Sequence, residues 1–141
     1  IGEGTRGLPV LFPVHPRTHK SLSTFGLWDA LKSAPALHLT EPISYIPFMN
    51  LIFNCRFVLT DSGGIQEETT YLGIPCLTLR PNTERPITIT QGTNKLCKVP
   101  DIDVHIEHIL KTTDTKRIVP ELWDGHTAAR VCKSIYQILR N

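Results

Sequence analysis

The chain has 141 residues, 40% of them hydrophobic, and a formal net charge of +2. That suits one soluble domain with a core of its own. A charge so mild, without a basic block interleaved with aromatics, argues against nucleic acid or a membrane surface as partner, and no apolar run approaches the ~20 residues of a membrane span.

The chain opens on Ile1-Gly2-Glu3-Gly4-Thr5-Arg6-Gly7, without Met. This reads as a helix end and loop met in mid-course, so a piece of something longer is expected. Leu8 to Val14 reads as a strand, with Pro9 and Pro13 near its ends, where a lost N–H matters least. His15-Pro16-Arg17-Thr18 is expected as a strand-to-helix turn. Phe25, Trp28 and Leu31 then recur at helical spacing, punctuated by Gly26 and Pro35. Ala36 to Leu39 is a short strand and Glu41-Pro42 a turn. Ser44 to Asn54 reads as a helix with Pro47 in its first turn, where proline is tolerated. Its apolar residues go nearly all round, which predicts burial.

The middle of the chain is the most informative. Phe57-Val58-Leu59 is a short apolar run, read as a buried strand. Asp61-Ser62-Gly63-Gly64 follows, then a helix with Ile65, Thr69 and Leu72 on one face, stopped by Gly73 and Pro75. In a parallel sheet this places a helix N-terminus at the carboxyl end of a strand, where open α/β sheets bind ligands. Free N–H groups and the positive end of the helix dipole suit phosphate there. The plainer reading is that Ser62 only caps the helix. A capping box, however, wants Glu or Gln three residues on, and Ile65 stands there. Two glycines also disfavour a helix, by ~1 kcal/mol each relative to Ala inside it; sequences tolerate that where backbone must approach something closely. The spacing fits neither the dinucleotide fingerprint nor the P-loop.

Cys76 to Leu79 is the next buried strand, and Thr83-Glu84-Arg85-Pro86 opens a short irregular or helical piece to Thr90. Pro86 biases Arg85 toward extended backbone, and a guanidinium is well suited to bidentate phosphate contact; the plainer reading is a Glu84–Arg85 surface pair. Gln91 to Asn94 is a turn and Lys95 to Val99 a last short strand. Asp101 to Lys111 is amphipathic through Ile102, Ile106, Ile109 and Leu110. His105 and His108 have metal-like spacing but read as a solvated helix face, and no metal is expected. The C-terminal helix spans about His126 to Leu139, with Ala128, Val131, Cys132, Ile135 and Leu139 facing in.

Strand and helix alternate without hairpin signals, which argues an α/β fold: a Rossmann-like parallel sheet with helices on both faces. Of the four cysteines, Cys55, Cys76 and Cys97 sit in apolar company and read as reduced core residues, which points to the cytoplasm. On the expected rim, the glycine turn offers N–H groups and a hydroxyl, and the Arg85 loop a cation. Glu68 offers an acceptor for vicinal hydroxyls. A diphosphate carrying a ribose matches that set. Phe48 reads either as a core residue or as a stacking partner for a base.

Residues 60–68, from Thr60-Asp61-Ser62-Gly63-Gly64 to Glu68, together with Thr83-Glu84-Arg85-Pro86, resemble the non-hydrolysing UDP-N-acetylglucosamine 2-epimerases. Residues 13–18, Tyr45-Ile46-Pro47-Phe48 and Asp124-Gly125-His126-Thr127-Ala128 extend the resemblance over nearly the whole chain. It implies residues 1–141 as a single, partial UDP-binding domain, the second domain of a GT-B fold, lacking its own first strand and helix and the N-terminal domain. It implies Ser62, Gly63 and Gly64 on the phosphates, Glu68 on the ribose, Phe48 against the uracil, backbone near Ile43 at its edge, and Arg85 by the diphosphate. His15 and Arg17 become cleft or regulatory residues; Pro16-Arg17-Thr18, where bacterial members often carry an Asn soon after the His, puts allosteric activation in doubt. The partner is a UDP-sugar, no cofactor is implied, and the full-length enzyme is expected to be a homodimer. The carboxylates that move the sugar proton belong to the first domain, so this chain alone is expected not to epimerise. A glycosyltransferase or hydrolysing epimerase of the same fold, or a non-catalytic nucleotide-binding module, are the competing readings.

Overall fold

A computed structural model of the chain describes residues 7–112 and 118–140. The opening residues before Gly7 lie outside the described residues. The chain divides into two compact units, Ile1–Arg56 with Cys97–Thr113, and Phe57–Leu96 with Asp114–Asn141.

In the first unit β1 (Val10–Pro13) pairs in parallel with β2 (Leu37–Thr40), Val10 opposite Leu37 and Pro13 opposite Thr40. Two short helices make the crossover, α1 (Pro16–Thr24) and α2 (Trp28–Lys32). The expected turn at residues 15–18 is therefore already helix: Pro16 occupies the first helical position, where its fixed φ is favourable, and His15 is the N-cap. The chain breaks at Gly26, whose φ of 66° is left-handed, so Phe25 is 75% exposed rather than on a common face with Trp28. Helix α3 (Tyr45–Asn54) follows, and α6 (Ile102–Lys111) completes the unit after a single 3-10 turn at Val99–Asp101. Val14, Ile52, Cys97, Ile102 and Ile106 are buried. The amphipathic reading of residues 101–111 holds: Ile102 and Ile106 face in. The reading of α3 does not. Only Ile52 is buried, while Ile46 is 79% and Phe53 65% exposed, because no described element covers the rest of the helix.

In the second unit β3 (Val58–Thr60), β4 (Cys76–Thr78) and β5 (Asn94–Leu96) form a parallel sheet in that order. Val58 lies opposite Cys76, and Cys76 opposite Asn94. Helix α4 (Gly63–Leu72) links β3 to β4, and α5 (Pro86–Thr90) precedes β5. Gly73 ends α4 at φ 76°. Its N–H reaches the Thr70 carbonyl at 3.2 Å and the Ile74 N–H reaches that of Thr69 at 2.9 Å, the paired bonds of a Schellman stop. The stop read from Gly73 is thus the one observed. Helix α7 (Thr127–Leu139) does not bury its apolar side: Val131 is 50%, Ile135 52% and Leu139 80% exposed, and Cys132 is exposed too. It is anchored at its start instead. Arg130 donates twice to Asp124, at 2.8 and 2.9 Å, and at 2.7 Å to the carbonyl of Leu122, a non-glycine residue at φ 68°. The Asp124 carboxyl is held below its ordinary pKa, first by the His126 N–H and then by Arg130.

All strand pairs are parallel, as the alternation of elements predicts, but they fall into a two-stranded and a three-stranded sheet rather than one. Among the described residues no helix is long and apolar enough to cross a membrane.

Candidate functional site

The site is built in the second unit, where β3 hands over to α4. Thr60, the last residue of β3, accepts the Ser62 N–H on its hydroxyl at 3.0 Å, which fixes the turn. Ser62 is the N-cap residue in extended backbone, and its side chain makes no capping bond. Gly63, Gly64 and Ile65 fill the first three helical positions. Their N–H groups have no intrahelical partner, so the positive end of α4 is left without a side-chain cap. The Ser62 side chain thus does not cap α4.

Neither glycine is required by the chain itself. Gly63 and Gly64 are absent from the left-handed residues, and a Cβ added at either meets nothing within 4 Å. Gly92 behaves differently, since a Cβ there would overlap the Thr70 side chain and the Thr88 carbonyl. Gly92 is glycine for packing, whereas the pair at the turn leaves backbone open on the outside.

Beyond the turn, three consecutive side chains of α4 take different roles. Gln66 is 0% exposed; its amide donates to the Ser62 carbonyl at 3.2 Å and accepts from the Thr83 hydroxyl at 2.6 Å. Glu67 lies 3.1 Å from Arg85 Nε, an ion pair without hydrogen-bond alignment. Glu68 is half-buried, and its Oε2 is shielded from solvent with no hydrogen-bond partner. A carboxylate oxygen in that state is a ready acceptor.

Arg85 caps α5 at φ −121°, ψ 58°. The φ is that expected before a proline, but the ψ stops short of extended backbone; the Arg85 N–H donates to the Thr83 hydroxyl at 3.0 Å. The Glu84–Arg85 surface pair is not formed; Glu84 lies 3.5 Å from Arg80 instead. The inward face of α4 also differs from the periodicity reading. The buried residues are Gln66, Thr69 and Thr70, not Ile65, Thr69 and Leu72. They belong to a polar interior with Thr78, Thr88 and Asn94, all 5% exposed or less. Sequence reasoning missed these residues. The available signal was Thr78, a polar side chain in a strand read as buried; Asn94 reads as the end of a turn, and the structure makes it the first residue of β5 instead. Beside them, burial pushes the Cys76 thiol up in pKa, only partly offset by bonds with Thr69 and Thr78.

Ser62, Gly63, Gly64, Glu68 and Arg85 thus share one unit. Ile43, Phe48, His15 and Arg17 belong to the other. There, Phe48 is half-buried in the first turn of α3 and Ile43 is half-buried just before it. The His15 ring accepts the Arg17 N–H on Nδ1 at 3.2 Å, and both residues are exposed. A groove of about 820 Å³ in that unit is lined by Val14, His19, Trp28, Lys32, Thr40 and Glu41 among others, and by none of these four.

The family model described as UDP-N-acetylglucosamine 2-epimerase matches residues 2–136. Among curated relatives, the UDP-N-acetylglucosamine 2-epimerase of Methanocaldococcus jannaschii is 49% identical over 87 residues, 62% of this chain and 24% of the relative. That of Methanococcus maripaludis is 47% identical over the same shares. The chain therefore spans about a quarter of the length of these relatives. A crystal structure of the M. jannaschii enzyme in complex with UDP-GlcNAc and UDP superposes with a TM-score of 0.76 at 37% identity, covering 89% of this chain and 36% of that one. The fold class is α/β with parallel strands, and these neighbours have the GT-B fold. By family model and by fold, the chain belongs to the UDP-N-acetylglucosamine 2-epimerase family.

Proposed function

We propose that residues 1–141 are one partial nucleotide-binding domain, and that the chain supplies the UDP-binding part of an enzyme interconverting UDP-N-acetylglucosamine and UDP-N-acetylmannosamine. The observation that carries this is the start of α4: uncapped amides behind two glycines that neither conformation nor packing requires. Space left open beside electropositive N–H groups suits an anion that must come close to backbone. Gly63, Gly64 and Ser62 hold the phosphates, and the Glu68 carboxylate, whose Oε2 has no hydrogen-bond partner, accepts from the ribose hydroxyls. Arg85, kept beside α4 by Glu67, adds positive charge. Phe48 and the backbone near Ile43 take the uracil, and His15 and Arg17 are cleft or regulatory residues.

The reaction sets the demand on this part of the enzyme. Elimination breaks the bond from the sugar's C1 to UDP and removes the proton at C2, giving 2-acetamidoglucal. Reprotonation from the other face and re-addition of UDP complete the inversion. UDP has to stay bound throughout, since a leaving group that diffuses away cannot add back. Carboxylates of an N-terminal domain handle the proton, so this chain alone does not epimerise. We place the whole protein as a cytoplasmic homodimer serving cell-surface polysaccharide synthesis.

The test is the thermal shift of this chain with millimolar UDP against uridine. A larger shift with UDP, reduced by Ser62→Ala and by Glu68→Ala, is expected; equal UDP binding in parent and both variants would sink the assignment. For the whole protein, free N-acetylmannosamine accumulating from UDP-N-acetylglucosamine would mean hydrolysis instead.

A further inference from the structure

Beneath the Ser62–Gly64 turn lies a polar assembly that the nucleotide-binding roles leave unused. A buried amide is unfavourable unless its donors and acceptors are matched, so its bonds have to explain why Gln66 is not an apolar residue. The Nε2 group donates to the Ser62 carbonyl at 3.2 Å. On the other side Oε1 accepts from the Thr83 hydroxyl at 2.6 Å and from Asn94 Nδ2 at 3.0 Å. Both acceptor routes lead to Arg85. The Thr83 oxygen takes the Arg85 N–H at 3.0 Å. Asn94 Nδ2 reaches Thr88 Oγ1 at 3.1 Å, and the Thr88 hydroxyl donates to the Arg85 carbonyl at 2.7 Å. Asn94 is itself fixed by the Thr78 hydroxyl on Oδ1 at 2.6 Å. One side chain thus grips the glycine turn with its donor and the Arg85 loop with its acceptor.

We infer that Gln66 is a positioning residue for the diphosphate: its amide sets the spacing between the amides of Gly63 and Gly64 and the Arg85 loop, so that both meet one ligand together. This rests on the nucleotide reading above. A primary amide is the side chain for the task, since it carries two donors and an acceptor in one plane. A carboxylate would put oxygen against the Ser62 carbonyl.

The test is a titration of the chain with UDP and with UMP, followed by NMR at the Gly63, Gly64 and Arg85 amides, which reads weak binding as well as tight. In the parent all three respond, and UDP binds more tightly than UMP. Gln66→Met keeps the bulk and removes the bonds. The expected result is a preserved spectrum, UMP affinity within about twofold, and a UDP-over-UMP preference reduced about tenfold, the scale of one misplaced charge-assisted contact. A merely structural role would weaken both ligands alike and leave the ratio where it was. Thr83→Val cuts the same connection from the loop side and carries the test if Gln66→Met does not fold. An unchanged ratio while the parent binds UDP overturns the inference and leaves the nucleotide reading standing; a parent that shows no response to UDP overturns both.

Discussion

The two units differ in what they bury: beside the apolar Cys76 and Leu77, the second buries a set of polar side chains that the first lacks among the described residues. The buried side chains of the first are apolar: Val14, Ile52, Cys97, Ile102 and Ile106. Every buried polar side chain among the described residues lies in the second: Gln66, Thr69, Thr70, Thr78, Thr88 and Asn94. An apolar interior is non-directional and tolerates small shifts. The hydrogen-bonded members of that set, all but Thr70, fix distances and angles, since each group left unmatched is costly. The second unit also carries the turn and the loop to which the diphosphate is assigned. Directional bonding is therefore found where geometry has to be held.

The comparison can be broken at several strengths. Ile106→Ala removes a side chain that is 1% exposed from the apolar unit, and should cost about 2–5 kcal/mol, read as a lower urea midpoint at unchanged slope. Asn94→Leu is nearly matched in size but strands the Thr78 hydroxyl and removes a donor to Gln66; a loss of about 1–3 kcal/mol is expected. No loss would mean the polar interior is dispensable. Glycine substitutions separate packing from function inside the second unit. Gly92→Ala should destabilise by about 1–3 kcal/mol through overlap with Thr70 and Thr88. Gly64→Ala should leave stability level or raise it by up to about 1 kcal/mol, while weakening UDP in calorimetry. The smallest effect lies at Asp124. Its depressed pKa means that the stability it contributes is present above the carboxyl's unfolded value and is lost as the pH falls through the folded one. An NMR titration should place its midpoint below that of an ordinary aspartate, and Arg130→Ala should raise it.

Much of this was open to the sequence. Gly73 and Pro75 announce the end of α4, and the spacing of Ile102 and Ile106 gives the inward face of α6, because periodicity and stop signals are local properties. The strand–turn–helix at residues 58–72 follows for the same reason. The inward face of α4 was not open to it. Periodicity counts apolar residues, and the helix buries Gln66 because partners 17 and 28 residues away in sequence satisfy its amide. Nor does an apolar helix say what covers it, which is why α3 and α7 read as buried and stand exposed. The division into two sheets likewise depends on pairing between distant strands, which no local pattern encodes.

The threonine-rich interior has a calorimetric consequence. Unfolding that exposes polar groups lowers the heat capacity gained, whereas newly wetted hydrocarbon raises it. The unit bearing Gln66 and Asn94 should accordingly have the flatter dependence of stability on temperature, holding its turn and loop in register on chilling better than a greasier interior would.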